Sequence, residues 1–141
     1  MFIIQKDDNE YLIDDKGKII SDGFKEIETL EYNDEENYKS KLYSIVTKNQ
    51  NYKMGMIDQK GNTIIPNEYY SIEEISDLKY IHAIKDEKYG ILDFSNNIVL
   101  PFKYTRRIYY DYYRKSFRAD IEDAEFRITP QNIILEERYS R

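Results

Sequence analysis

The strongest constraint on this chain is that it resembles itself. Residues 55–66, Gly55-Met56-Ile57-Asp58-Gln59-Lys60-Gly61-Asn62-Thr63-Ile64-Ile65-Pro66, align without gaps on Gly90-Ile91-Leu92-Asp93-Phe94-Ser95-Asn96-Asn97-Ile98-Val99-Leu100-Pro101, 35 residues further on. Both continue to a Tyr and an Ile, Tyr69 and Ile72 in one, Tyr104 and Ile108 in the other. An earlier copy, residues 11–20, fits with one residue deleted after the turn, and a frayed last copy spans residues 126–135. Units that recur in this way bury their apolar sides against their neighbours, so the repeat dictates the fold before any other feature does.

Each unit reads as a hairpin. Two short runs rich in Ile, Val, Leu and Tyr flank a turn carrying Asp, Lys, Gly or Asn. Gly17, Gly61 and Asn96 share one repeat position, where the turn requires a positive φ that Gly and Asn tolerate best. Asp14, Asp58 and Asp93 are placed to cap that turn through local hydrogen bonds to backbone amides. Pro66 and Pro101 are expected to end the second strand, since proline has no amide to give a ladder. Residues 42–47 and 78–84 supply a further strand between hairpins, about three per repeat. The interval from Asp14 to Asp58 is 44 residues rather than 35, and the polar residues 33–37 account for the excess as a loop insertion. Helical periodicity is nowhere sustained; the best short candidate, residues 109–117, is too aromatic to favour it.

The expected fold is therefore all-β, a single domain over 1–141: an antiparallel hairpin-repeat array of three to four degenerate repeats, at approximately 1–32, 42–76, 78–112 and 114–139. Such units stack as a solenoid, curl into a propeller-like ring or close as a barrel, and the hairpin pattern is common to all three. A domain of 141 residues buries roughly 70% of its unfolded surface. The chain has no Cys, which excludes disulfides and thiolate metal sites and is compatible with a reducing compartment. No basic-then-apolar leader opens the sequence and no apolar run approaches the roughly 20 residues of a membrane span, so a cytoplasmic protein without a membrane partner is expected.

The pattern of an aromatic-Gly pair, an Ile-Leu-Asp strand, a Lys-Gly-Asn turn and an apolar strand closing on Pro, then Tyr and Ile, resembles the bacterial WG repeat. The resemblance is carried best by residues 53–75 and 88–108, and less fully by 10–27. The namesake Trp is absent: Tyr89 precedes Gly90, Met54 precedes Gly55, and the first copy lacks the Gly. The resemblance implies a β-repeat array that mediates binding, and it brings no catalytic residue.

Catalytic chemistry finds little to work with. A nucleophile needs a base beside it, and the chain offers one His, His82, and no Cys. His82 lies mid-strand on a face with Tyr80 and Ile84, where a structural imidazole is the plainer reading. Zinc usually draws on several Cys and His ligands, the acid clusters Asp7-Asp8 and Asp34-Glu35-Glu36 lack the spacing of a calcium loop, and no Gly-rich phosphate loop exists. The expectation is a non-enzyme with no cofactor and no metal.

The distinctive stretch is residues 103–118. Its six basic residues, Lys103, Arg106, Arg107, Arg114, Lys115 and Arg118, face one acid, Asp111, for a net +5, so the rest of a chain of charge −6 carries −11. Arg106, Arg107, Tyr109, Tyr110, Tyr112, Tyr113, Arg114 and Lys115 form the candidate partner-binding set, because Tyr and Arg supply the rigid area and planar donors of interface hot spots. The plain alternative is that these rings fill the core, Tyr being the general aromatic here with 15 copies. The leading expectation is a module that binds another protein, as a small bacterial or phage inhibitor, immunity-type protein or adaptor. The second is a ligand- or single-stranded nucleic-acid-binding protein using residues 103–118, though the acidic whole disfavours generic nucleic-acid binding.

Overall fold

The computed structural model describes residues 1–34, 39–75 and 80–139, those at 30–34 and 39–44 by their backbone alone. Every regular element among them is a β-strand, and no helix is long and apolar enough to cross a membrane. The chain divides into two compact units, Met1–Tyr69 and Tyr70–Arg141.

In the first unit β1 (Phe2–Lys6) pairs antiparallel with β2 (Asn9–Ile13). A four-stranded meander follows: β3 (Glu26–Asp34), β4 (Lys39–Lys48), β5 (Met54–Ile57) and β6 (Thr63–Tyr69). The second unit holds two more such meanders, β7 (Ser71–Ile75), β8 (Tyr80–Lys85), β9 (Lys88–Asp93) and β10 (Ile98–Tyr104), then β11 (Tyr109–Asp111), β12 (Ser116–Ile121), β13 (Ala124–Ile128) and β14 (Ile134–Tyr139). Leu12, Phe24, Ile27, Ile45 and Ile57 form a buried cluster in the first unit. In the second, Ile91, Leu100, Tyr104, Ile108, Phe117, Ala119 and Ile128 pack the two meanders together.

The same side-chain-capped turn is built at four places. Asp58 Oδ1 accepts hydrogen bonds from the amides of Lys60 and Asn62 at 2.8 and 2.9 Å, Asp93 Oδ1 from Ser95 and Asn97 at 2.8 and 2.9 Å, and Asp14 Oδ1 from Lys16 and Lys18 at 2.9 Å each. In the last copy Thr129 Oγ1 accepts from the Ile133 amide at 3.1 Å. The fourth residue of each turn is left-handed, as the sequence demanded: Gly17, Gly61, Asn96 and Asn132. A fifth turn of this kind escaped the sequence reading. Asn49 Oδ1 takes the amides of Asn51 and Lys53, with Tyr52 at φ 61 where a Gly or Asn would be the comfortable choice.

Three expectations are corrected. Of the predicted loop insertion, Asn33 and Asp34 belong to β3, with β3 and β4 running to 9 and 10 residues where β7 and β8 have 5 and 6; residues 35–37 lie outside the described residues, as do 78–79 of the other strand candidate. Three of the four sheets have four strands rather than three, the segments after the Pro also pairing, as β7 and β11, while β1 and β2 form a two-stranded sheet. Pro66 and Pro101 do not end their strands. They sit inside β6 and β10, in bulges where register passes from Met56↔Ile65 to Met54↔Tyr69 and from Ile91↔Leu100 to Tyr89↔Tyr104. A bulge on an edge strand asks no amide of proline.

Glycine faces each bulge. A Cβ at Gly55 would lie 2.5 Å from the Ile65 carbonyl oxygen, whereas at Gly90 it would meet the Phe102 ring at 2.7 Å. A ring can swing aside and a ladder carbonyl cannot. Gly55→Ala is therefore expected to cost about 2–3 kcal/mol and Gly90→Ala about 1 kcal/mol, read from urea unfolding; equal costs would refute the account of the first bulge.

The turns also titrate. Partial burial pushes the Asp58 and Asp93 carboxyls up, but the amide hydrogen bonds they accept outweigh it and hold both below the usual carboxylate range. Their stabilisation is complete above the unfolded value near 4 and is lost as pH falls through the lower folded value. The double replacement Asp58→Asn with Asp93→Asn keeps the acceptors and is expected to flatten the acid limb of the stability–pH curve. An unchanged limb would show that other carboxyls set it.

Candidate functional site

The basic aromatic segment is a strand-turn-strand. β11 carries Tyr109, Tyr110 and Asp111, residues 112–115 turn, and β12 returns with Tyr109 opposite Arg118, Tyr110 opposite Phe117 and Asp111 opposite Ser116. Asp111 Oδ1 closes the turn by accepting the amides of Tyr113 and Arg114, both at 3.0 Å, and Lys115 takes the left-handed position.

The sequence-derived set divides in two. Tyr110 packs against the core, its ring 5.0 Å from Phe117 and 5.7 Å from Tyr80. Arg107 is committed to a bidentate pair with Glu73, Nη1 to Oε2 at 2.6 Å and Nη2 to Oε1 at 2.7 Å, while its guanidinium lies 5.9 Å from the Tyr109 ring centroid. The hydrogen bond from Arg107 holds the Glu73 carboxyl below its usual range against a partial burial that raises it. Tyr109 and Tyr112 are more than half exposed and Tyr113 is 100% exposed; Arg106, Arg114 and Lys115 are exposed as well. Tyr112 stands edge-on to Tyr110 at 5.3 Å, so one exposed ring is braced on a half-buried one.

Part of the run's +5 charge is met by acids. Arg107 is met by Glu73 from β7, Arg118 Nε by Glu125 Oε1 from β13 at 3.2 Å, and Arg114 Nε faces Asp111 Oδ2 at 3.9 Å. Glu73 and Glu125 come from elsewhere in the chain, which is why residues 103–118 read alone overstate the local field.

β12, β13 and β14 present charges on the face away from the core. Arg118 stands opposite Arg127, which stands opposite Glu136; Asp120 stands opposite Glu125, which stands opposite Arg138. Arg127 and Glu136 form a close ion pair, and Arg138 Nη2 reaches Glu136 Oε2 at 3.6 Å. A cavity of about 190 Å³ opens on this face, lined among others by Arg114, Ser116, Arg118, Arg127 and Arg138. Sequence reasoning missed it, because Arg127, Glu136 and Arg138 lie outside the basic run. The residue-by-residue alternation of Ser116, Arg118 and Asp120 along one strand was the available signal.

His82 is structural. It is 2% exposed on β8, its Nε2 accepts the Ile108 amide at 3.2 Å, and its ring lies 5.4 Å from Tyr89. Burial first, then the Arg107 charge, lowers its pKa to about 4, with Glu73 opposing. It thus acts as a neutral acceptor fastening the segment that carries Arg106 and Arg107. No group of three His, Cys, Asp or Glu among the described residues is placed to hold a metal ion.

Compared with known families the chain matches no family model, and no curated protein matches it either.

A His held below its unfolded value of about 6.5 adds stability that is complete above that value and lost as pH falls toward about 4. Between pH 7.5 and pH 5 the loss is expected to be on the order of 2 kcal/mol. His82→Gln offers a neutral acceptor that does not titrate; it is expected to be less stable at pH 7.5 but to lose this increment of pH dependence, read from denaturant midpoints at the two pH values.

Proposed function

We propose that the chain is a non-enzymatic module that binds another protein through the β11–β12 tip, its scaffold an array of four WG-like hairpin units. The four capped turns at Asp14, Asp58, Asp93 and Thr129 support the array, the four-stranded meanders being its natural units. A role as a small inhibitor, immunity-type protein or adaptor in a bacterial or phage cytoplasm fits such a scaffold, which carries a rigid surface and needs no reacting groups.

The single observation that carries the binding reading is Tyr113, wholly exposed at the end of a turn that Asp111 fixes, with Tyr112, Tyr109 and Arg114 exposed around it. Large exposed rings on a fixed turn lose little entropy on docking, and Tyr with Arg is the composition of binding hot spots. The close pairing of Arg107 with Glu73 and of Arg118 with Glu125 takes two cations from a nucleic-acid backbone and favours a protein partner.

The test uses the partner captured by the native chain, purified and titrated against variants. Tyr112→Ala with Tyr113→Ala is expected to weaken binding by at least about 100-fold while moving unfolding free energy by no more than about 0.5 kcal/mol. Undiminished binding by this double variant overturns the reading. Binding of single-stranded oligonucleotides with an affinity falling steeply in salt replaces it with the nucleic-acid reading.

A further inference from the structure

The fourth strand of each meander, β6, β10 and β14, stands at an edge of its sheet, and two of the three are built to refuse a further strand. β6 carries Pro66 and β10 carries Pro101, each within a bulge. A proline on an outer edge withholds the amide that an added strand would use, and a bulge bends the edge away. In the last unit the same repeat position holds Glu137, and the pairing beside it is regular. The edge of β14 lacks both protections.

That edge presents backbone groups with no partner strand among the described residues. Glu122 and Asp123 form a two-residue turn closing on Ile121↔Ala124, which makes this a hydrogen-bonded pair and sends every second residue of β13 to β12. Asp120 fits the alternation, its carbonyl accepting the Thr105 amide at 2.9 Å on the far side of β12. Glu125 and Arg127 therefore turn toward β14, where Arg138 and Glu136 face them. The amides and carbonyls of Glu137 and Tyr139 are left pointing outward. Every side chain of β14 is exposed, Leu135 by 53% and Tyr139 by 68%.

We propose that β14 pairs antiparallel with β14 of a second copy of this chain, centred on Glu137, so that two four-stranded sheets become one. The order of side chains selects this occupant and this register. Centring on Glu137 sets Glu136 of each strand opposite Arg138 of the other, twice by symmetry, and Leu135 opposite Tyr139, contacts of the kind that stabilise cross-strand pairs. Centring on Glu136 or on Arg138 sets like charges opposite and makes neither ion pair. The cost of the chosen register is Glu137 facing its own copy, and both carboxylates stay at the surface, each already accepting the Tyr139 hydroxyl of its own strand at 3.1 Å. Such pairing is isologous and closes at two copies, with no open fibre. β11 lies at the other edge of the same sheet, so the dimer leaves the exposed tip free and carries two of them, with β11 strands roughly 34 Å apart at about 4.8 Å per strand.

Two strands of six residues make a contact at the small end of protein interfaces, whose stable members bury about 1,200 Å² or more, so the dimer is expected to grow with concentration. Sedimentation of the full chain from roughly 10 μM to 1 mM, a range suited to weak association, follows it, and amide exchange over the same series locates it. The Glu137 and Tyr139 amides are expected to exchange more slowly as dimer accumulates. Glu137→Pro restores the proline of the other units and is expected to weaken association at least about tenfold. Glu137→Thr keeps the amide and removes the facing charges, and is expected to associate at least as tightly as the native chain. A monomer at every concentration overturns the proposal, whether or not some other protein covers β14. So does a dimer without slowed exchange at Glu137 and Tyr139, or equal weakening by Pro and Thr. The exchange series on the native chain decides the matter even where Glu137→Pro fails to fold.

Discussion

The structure depends on a side-chain oxygen that gathers the amides of its own turn. In a β-ladder a slip of one residue exchanges the buried and exposed faces of a whole strand, so something must fix each hairpin before its apolar residues can choose a side. Asp14, Asp58, Asp93 and Thr129 do so with bonds of 2.8–3.1 Å. Asn62 and Asn97 reinforce two of them by donating Nδ2 back to the same carboxylates at 3.2 and 3.0 Å. With the turn closed, Met56 faces Ile65 and Ile91 faces Leu100, and all four are completely buried. Core packing is thus downstream of a local polar contact on the surface.

In the two middle units the glycine and the proline then act as one device. In β6 and β10 the bulge lets two residues be inward, Ile65 with Tyr69 and Leu100 with Tyr104, and the close approach it imposes is what requires Gly55 across the ladder. The last sheet tests this logic internally. Phe126 stands where the two middle units have Gly55 and Gly90, no Pro follows in β14, and the wide bulge is missing: pairing runs regularly from Ala124↔Tyr139 to Arg127↔Glu136. Every residue of β14 is exposed, and Glu136 occupies the place of the buried Leu100. Without the wide bulge the edge strand carries Glu136 and Arg138 to solvent beside the charges of β12 and β13.

How much could be read in advance follows from the range of each interaction. The turns are local, five residues with their own hydrogen bonds, and their Asp, Gly and Asn announced both the hairpins and the left-handed positions. The turn at Asn49 stayed hidden because Tyr52 stands in the left-handed place, and no composition rule assigns a tyrosine there. The bulges at Pro66 and Pro101 depend on an approach between strands, so the prolines looked like stops. At the site, the run of Tyr and Arg located the exposed tip and named residues that lie on it. It could not tell Tyr110, held by Tyr80 and Phe117, from Tyr113, which touches water on all sides. It also could not foresee pairing, because Glu73 lies 34 residues before Arg107.

The same comparison explains why a basic segment in an acidic protein need not be an anion-binding surface. Net charge along a sequence adds what the fold can separate, and here the fold sets Glu73 of β7 against Arg107 and Glu125 of β13 against Arg118. Exposed pairs of this sort contribute little stability each, so their effect is on what the surface can attract. His82 shows the coupling at close range: burial and the Arg107 charge keep it neutral, neutrality makes Nε2 an acceptor for the Ile108 amide, and that bond fixes the segment from which Arg107 reaches Glu73. The exposed tip follows from a connection fixed by that buried, neutral acceptor. What such a tip presents to solvent is aromatic area held on a fixed turn.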